Sequence, residues 1–579
     1  MFLLCVGTIV YGQQFYIRGE VKDESGNALQ NVNILLHSTN YIYHSGTDGS
    51  FGIVSSRQKD SLSFWFDGYT KQTLAINADN YIALKMKMLP ANVSAMRRDK
   101  LVSLTRNLTR ESQREWFTGD ETYASIVENR FVNAERYPST LVSLNIDRAS
   151  YSNIRRFINL STLVPPDAVR IEEMLNYFNN NYNQPAPGNL FDIHSIITSC
   201  PWNPANQLFF VNVSSQKLNL DSLPASNLVF LVDVSGSMDM PNRLPLLKSA
   251  FKLLINNLRA KDTVSIVVYG GLVATLLNPT SGAEKDSILR VIDELEPGGA
   301  TPGESGIRMA YRLAASHFIK KGNNRVILAT DGDFNVGLKK EEDLEEMIAK
   351  QRESGIYLTC LGVGMGNYKD SKIQSLARKG NGNFAYLDNF REAEKVLLKE
   401  FSQTLYAVAD DVYMGIGFNN QFVKSYRLIG FDNKMGALKD SLSEVEGGEV
   451  GSGQSMMAVF EIEPADKKTV SGEYAKVELN YKKPGSKLQQ KFFYPCPYST
   501  TLFTDLPASY KFSSAVIMLG SYLKQSFSAK GINFTDIIAL ATQSAQPGNL
   551  PQQEFINLAQ QARVLYSRKK KKKESAAEN

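Results

Sequence analysis

At 579 residues the chain is too long for one hydrophobic core and should divide into three or four domains. It is 43% hydrophobic and 21% charged, which excludes a disordered or collagen-like chain. The net charge of +5 resides in one run, Arg568 to Lys573; without those six residues the acidic groups lead by one, and the body makes no electrostatic case for binding nucleic acid.

The first twelve residues, MFLLCVGTIVYG, are apolar and uncharged. A bilayer span needs about 20 such residues, so this stretch reads as the core of a secretory signal cleaved before Gln13. It lacks a basic leader, which leaves open a start upstream of Met1. Cys5 offers a lipoprotein alternative, against which the bulk of Leu4 stands. No later run is long and apolar enough to cross a membrane as a helix. The expectation is an exported protein of the periplasm or cell envelope, with peripheral membrane association open to the basic tail.

Residues 17–88 read as short strands separated by turns, such as GTDGSFGIV with its Asp48-Gly49 turn. An all-β sandwich is expected. The segment resembles carboxypeptidase regulatory-like, transthyretin-like domains through Gly19-Glu20-Val21, Asp23, Gly26, Gly46 to Phe51 and Gly68-Tyr69. Residues 89–120 are charged and weakly periodic, a linker. Residues 121–220 return to strand and helix patterns, including STLVSLNIDRASYSNIRRFIN.

From residue 225 to 406 apolar strands alternate with amphipathic helices. NLVFLVDVS precedes LPLLKSAFKLLINNL, and RVILATDG precedes LEEMIAKQRESG. Continuous apolar strands bounded by helices predict a mostly parallel sheet covered on both faces. Ligands of such sheets bind beyond the carboxyl ends of the strands, where Asp233 and Asp331 fall. Asp233, Ser235 and Ser237 place three oxygens on one loop. Thr301 lies in the glycine-rich GGATPGE, and Asp331 opens DGDFN. Hard oxygen donors with few charges suit Mg²⁺.

DVSGSM, a loop threonine and TDG on a later strand together resemble the metal-ion-dependent adhesion site of von Willebrand factor type A domains. The resemblance implies that Asp233, Ser235, Ser237, Thr301 and Asp331 hold Mg²⁺, or Ca²⁺ or Mn²⁺, directly or through water, and that a partner's Asp or Glu completes its coordination. Gly299, Pro302, Glu304, Asp333 and Asn335 would line the docking loops. The flanks, with VRIEEMLNYF and CPWNP before and SYRLIGFDN and FSSAVIMLGSYLK after, resemble the YfbK-like bacterial family. Gln454 stands in GSGQSM where a histidine would be expected.

The expected architecture is therefore multidomain. A doubly wound, Rossmann-like α/β type A domain follows the β-sandwich and is flanked by α+β family-specific regions at 121–220 and 407–566, with a disordered basic tail at 567–579. No enzyme is expected. A phosphate-cradling GxxxxGK[ST] is absent, and GVGMG at 362–366 lacks the third spaced glycine of a dinucleotide site. No histidine neighbours Ser235 or Ser237 to act as a base. The expected function is capture of an acidic residue on a partner protein. A rival is a scaffold whose ion is ligated by an acidic loop of its own chain, such as Ser443 to Val450. An exported setting would also permit a disulfide between Cys200 and Cys496.

Overall fold

The computed structural model describes residues 15–577, apart from 25, 67–68, 88–120, 125–126, 145–146, 180, 220–222, 300–302, 333–340, 367, 401–402, 404, 432–446, 467–470 and 487. Two compact units result, divided at residue 99, and each is described by itself.

The first unit is all β. Strands β1 (Phe15–Asp23), β4 (Ser50–Ser55) and β7 (Ile82–Met86) form one sheet. Strands β2 (Asn33–Leu36), β3 (Tyr41–His44), β5 (Lys59–Trp65) and β6 (Gln72–Asn77) form the other. Alternate residues face inward: in β4 Phe51 and Ile53 are buried while Gly52 and Val54 are exposed. They meet Ile17, Val21, Ile34 and Phe64 in one core. The Asp48-Gly49 turn forms as expected, with the Asp48 carboxylate accepting from the Ser50 amide at 3.1 Å and hydroxyl at 2.7 Å.

The second unit contains the α/β domain. Its six strands run in the order β14 (Leu272–Ser281), β13 (Thr263–Gly270), β12 (Ser226–Asp233), β15 (Asn323–Thr330), β16 (Ile356–Gly362), β17 (Phe384–Tyr386). All neighbours are parallel except the edge strand β14. Strand β12 shows why the sheet is doubly covered. Leu228, Phe230 and Val232 face a core shared with helix α3 (Leu244–Asn256), whereas Val229 and Leu231 face one shared with helix α5 (Gly303–Ser316). Each such side chain contributes roughly 1.5–3 kcal/mol on burial.

The flanking regions are not two domains. Strands β10 (Phe191–Ser199) and β11 (Gln207–Ser215) lie before the α/β domain, and β21 (Ser455–Pro464) lies after it. Yet β11 pairs with β21 from Gln207↔Ile462 to Ser214↔Ser455. Likewise β9 (Ser139–Ser143) pairs with β18 (Ala407–Phe418). Two sheets built from both flanks enclose Phe209, Val211, Ile416, Phe460 and Val477. The outer face of one sheet is covered by helix α1 (Ala149–Asn159), α2 (Ile171–Tyr177), α9 (Ala508–Lys524), α10 (Phe534–Ser544) and α11 (Leu550–Ala577). The α/β domain is thus inserted into a single discontinuous α+β domain.

One sequence expectation changes, that of the disordered tail, and two points left open are resolved. Cys200 and Cys496 are free, buried thiols in two different cores, so no disulfide joins them. The final helix continues to Ala577, so the basic run belongs to a helix rather than to a disordered tail. Gln454 is a turn-holding residue: its side-chain oxygen accepts from the Gly451 amide at 2.8 Å. Among the described residues no helix is long and apolar enough to cross a membrane.

Candidate metal centre

Strand β12 ends at Asp233 and pairs with β15, which ends one residue before Asp331. Parallel register brings both carboxylates to the same edge of the sheet. Asp233, Ser235 and Asp331 are buried, with Asp233 and Asp331 at 0% exposure. Asp233 accepts from the Ser235 amide at 2.9 Å and from the Thr330 hydroxyl at 3.1 Å. The hydroxyls of Ser235 and Ser237 lie 3.1 Å apart, and that of Ser237 donates to Asp331 Oδ2 at 2.8 Å. Four of the five expected ligands therefore gather at one point. Thr301 lies outside the described residues, as do Pro302, Asp333 and Asn335.

The two remaining docking positions are described. Gly299 accepts from the Gly236 amide at 3.1 Å, which ties the second glycine-rich loop to the DVSGSM loop. Its φ of +79° and the Gly271 Cα, 2.4 Å from where a Cβ would stand, both require glycine. Glu304 lies in α5 and pairs with Arg308 at 2.8 Å, one helical turn on.

The electrostatics of the two carboxylates differ. Burial pushes the Asp233 carboxyl up to about 6, opposed by the bonds from Ser235 and Thr330 and reinforced by the Asp331 charge. Every described partner of Asp233 is neutral. Tyr269, opposite it on β13, is held well above the ordinary phenol range by burial and then by the Asp233 charge. Asp331 instead has a cation: Arg243 Nη1 donates to its Oδ2 at 2.9 Å and to the Ser237 carbonyl at 2.5 Å. Arg243, Thr330 and Tyr269 were missed in the sequence. Thr330 abuts Asp331, but Arg243 is a lone charge at a helix start and follows no pattern.

The residues present fit a hard divalent ion. A buried carboxylate whose described partners are an amide and hydroxyls is costly unless a cation joins it. Two hydroxyls and a second carboxylate complete an oxygen-only set of low charge. Among the described residues no group of three or more His, Cys, Asp or Glu is placed to hold a metal ion, and the set at this edge has two carboxylates.

The acidic loop proposed as an internal ligand is placed only in part. Glu449 is buried and paired with Arg325, near the amino end of β15. Arg325 precedes Asp331 by six residues, about 20 Å along a strand. Glu449 is therefore unavailable to the metal edge, and residues 443–446 lie outside the described residues.

Three family models match the chain: von Willebrand factor over residues 118–209, von Willebrand factor type A domain over 227–400, and Uncharacterized protein YfbK, C-terminal, over 403–565. The chain is 39% identical over 381 residues to Uncharacterized protein YfbK of Escherichia coli (strain K12), covering 64% of this chain and 65% of that protein. It is 28% identical over 178 residues to inter-alpha-trypsin inhibitor heavy chain H2 of Homo sapiens, covering 28% of this chain and 18% of the other. The chain thus spans less than two thirds of the length of these curated relatives. Of the solved structures, a von Willebrand factor type A protein from Catenulispora acidiphila aligns at TM-score 0.39 and 13% identity, over 63% of this chain and 88% of that one, too loosely to carry geometry across. The sheet order and the family match agree on one part of the chain: residues 227–400 form a von Willebrand factor type A domain. The chain is similar to YfbK, and residues 403–565 match the family model of that protein's C-terminal part.

Proposed function

We propose that this chain is an exported, non-catalytic module that uses a divalent ion, Mg²⁺ first, to capture an Asp or Glu side chain of a partner protein. The observation carrying this reading is Asp233: a buried carboxylate at the carboxyl edge of a parallel sheet, neighboured by hydroxyls and an amide, with Asp331 beside it. When bound, the ion supplies a Lewis-acidic position for a partner carboxylate. Asp233, Ser235, Ser237 and Asp331 would hold it, with Thr301 as the fifth ligand. The ordered contact of Gly236 with Gly299 keeps the loops together as a rim. Capture of one carboxylate is weak alone, so a stable complex needs a surrounding contact of about 1,200 Å² or more.

Isothermal titration of the full chain with Mg²⁺ and Mn²⁺ tests the site. Saturable binding that disappears in Asp233→Ala supports it. Absence of binding in the wild-type chain overturns it. Partner capture from envelope extract should be reversed by EDTA; a partner retained with unchanged affinity in excess chelator would refute metal-mediated capture.

A further inference from the structure

Arg243 is the one described cation on the metal site, and its surroundings explain how it is held there. It precedes helix α3 as the cap residue. Its Nη1 binds Asp331 and the Ser237 carbonyl, while Nη2 donates to the Met365 carbonyl at 2.8 Å. Met365 belongs to the GVGMG turn after β16. Gly364 in that turn has φ +83°, and a Cβ there would lie 2.5 Å from Arg243 Nε. The turn and the guanidinium are therefore packed directly against each other.

The same turn is gripped from its other side by the segment at Glu121 to Tyr123. Glu121 Oε1 accepts from the Gly366 amide at 2.6 Å. Thr122 donates its amide to the Tyr368 carbonyl at 3.1 Å and accepts from the Ser371 amide at 3.3 Å, an added strand-like contact. Glu121 is buried and takes a two-pronged bond from Arg156 of α1, 2.7 Å on each prong, plus the Tyr123 hydroxyl at 2.6 Å. A continuous set of bonds thus runs from Arg156 and Glu121 through the GVGMG turn to Arg243 and Asp331.

We propose that Arg243 is a resident counter-cation that competes with the metal for Asp331, and that Glu121 to Tyr123 form a latch positioning it through the GVGMG turn. This inference rests on the metal-capture reading of the site. The physical reason is that a guanidinium and a divalent ion sharing one carboxylate repel each other at short range. Asp331 Oδ2 already accepts from both Ser237 and Arg243. Latched, Arg243 keeps the site at low affinity. Unlatched, it is free to leave Asp331 and the site strengthens. Coupling of this kind is reciprocal, so the metal must also loosen the latch.

The test is titration of the full chain with MgCl₂ alone, with no partner. Arg243→Met should raise Mg²⁺ affinity about tenfold, and Glu121→Gln about three- to tenfold, within the usual range of coupling between sites. The double variant should gain no more than Arg243→Met alone, because the latch acts through Arg243. A merely structural role predicts weaker binding in each variant, the opposite sign. Arg243→Met that weakens Mg²⁺ binding overturns the competition, and a Glu121→Gln effect that is absent or adds fully to it overturns the latch. Should the variants unfold, hydrogen exchange on the wild-type chain decides: Mg²⁺ should speed exchange at the Gly366 and Ser371 amides, and unchanged protection there refutes the latch. A wild-type chain that binds neither Mg²⁺ nor Mn²⁺ removes the metal site itself, whereas binding with unresponsive variants removes only this inference.

Discussion

Buried charge occurs in two forms in this molecule. At the seam between the α/β domain and its α+β host, charges are closed on one another. Arg155 binds Asp388, Glu392 and Glu554; Arg156 binds Glu121; Arg170 lies between Glu173 and Asp370. At the metal edge Asp233 has only neutral described partners. The closed set fixes one domain against the other. The open set leaves a place for a cation from solution. On the proposed reading, similar residue types at similar depth serve structure in one place and ligand capture in the other.

The largest effect should come from breaking the closed set. Arg170 is fully buried, and its Nη1 lies 2.6 Å from Asp370. Arg170→Met strands two buried carboxylates and should cost about 3–5 kcal/mol of stability. Urea unfolding measures it. A loss under 1 kcal/mol would mean the seam charges are solvated in solution and the contrast is false.

Breaking the open set should do the reverse. Asp233→Ala should lower Mg²⁺ affinity at least 100-fold, about 3 kcal/mol, while the urea midpoint holds or rises. It removes a buried charge that had no described cation and relieves repulsion with Asp331. A variant that loses several kcal/mol of stability would make Asp233 structural, like the seam.

The sequence legibility of the two sets also differs. Asp233, Ser235, Ser237 and Asp331 were readable because each sits in a short loop whose turn chemistry is local. The α/β alternation was readable for the same reason. The seam was not. Arg155 and Arg156 stand in SNIRRFIN, which looks like any amphipathic helix with a charged face. Their partners lie up to 399 positions away, as for Glu554. The merger of the two flanks was hidden likewise, since Gln207 pairs with Ile462 across the whole inserted domain. Non-local pairing leaves no periodic trace in either segment.

A pH series sharpens the comparison within the seam. Asp147 and Glu173 both accept from Gln374, at 3.2 and 3.1 Å. Burial, then the Glu173 charge, pushes Asp147 up to about 7. The folded state therefore keeps a proton that an unfolded Asp, with a pKa of about 3.9, releases. The folded state binds more protons between those values, so this group's contribution falls as pH rises from about 4 to 7 and is flat above. Relative to Asp147→Asn, the wild-type chain should lose on the order of 1–3 kcal/mol between pH 5 and 8. Parallel stability curves for the two proteins would show that Asp147 ionises normally.

The smallest effect should come from reductant. Cys200 packs in the core beneath the helices, and Cys496 in the core between the two sheets. Both are free. Burial pushes the Cys200 thiol up to about 12 and the Cys496 thiol up to about 11, so neither supplies thiolate near neutrality. Dithiothreitol should then leave the Tm unchanged within about 1 °C. A native disulfide closing so long a loop would instead contribute roughly 2–5 kcal/mol and lower the Tm by several degrees when reduced. Because the sheet of β10 and β11 separates the two cores, joining these thiols would require that sheet to open. A clear drop in Tm on reduction would therefore contradict the sheet pairing itself, along with the single discontinuous domain into which the α/β domain is inserted.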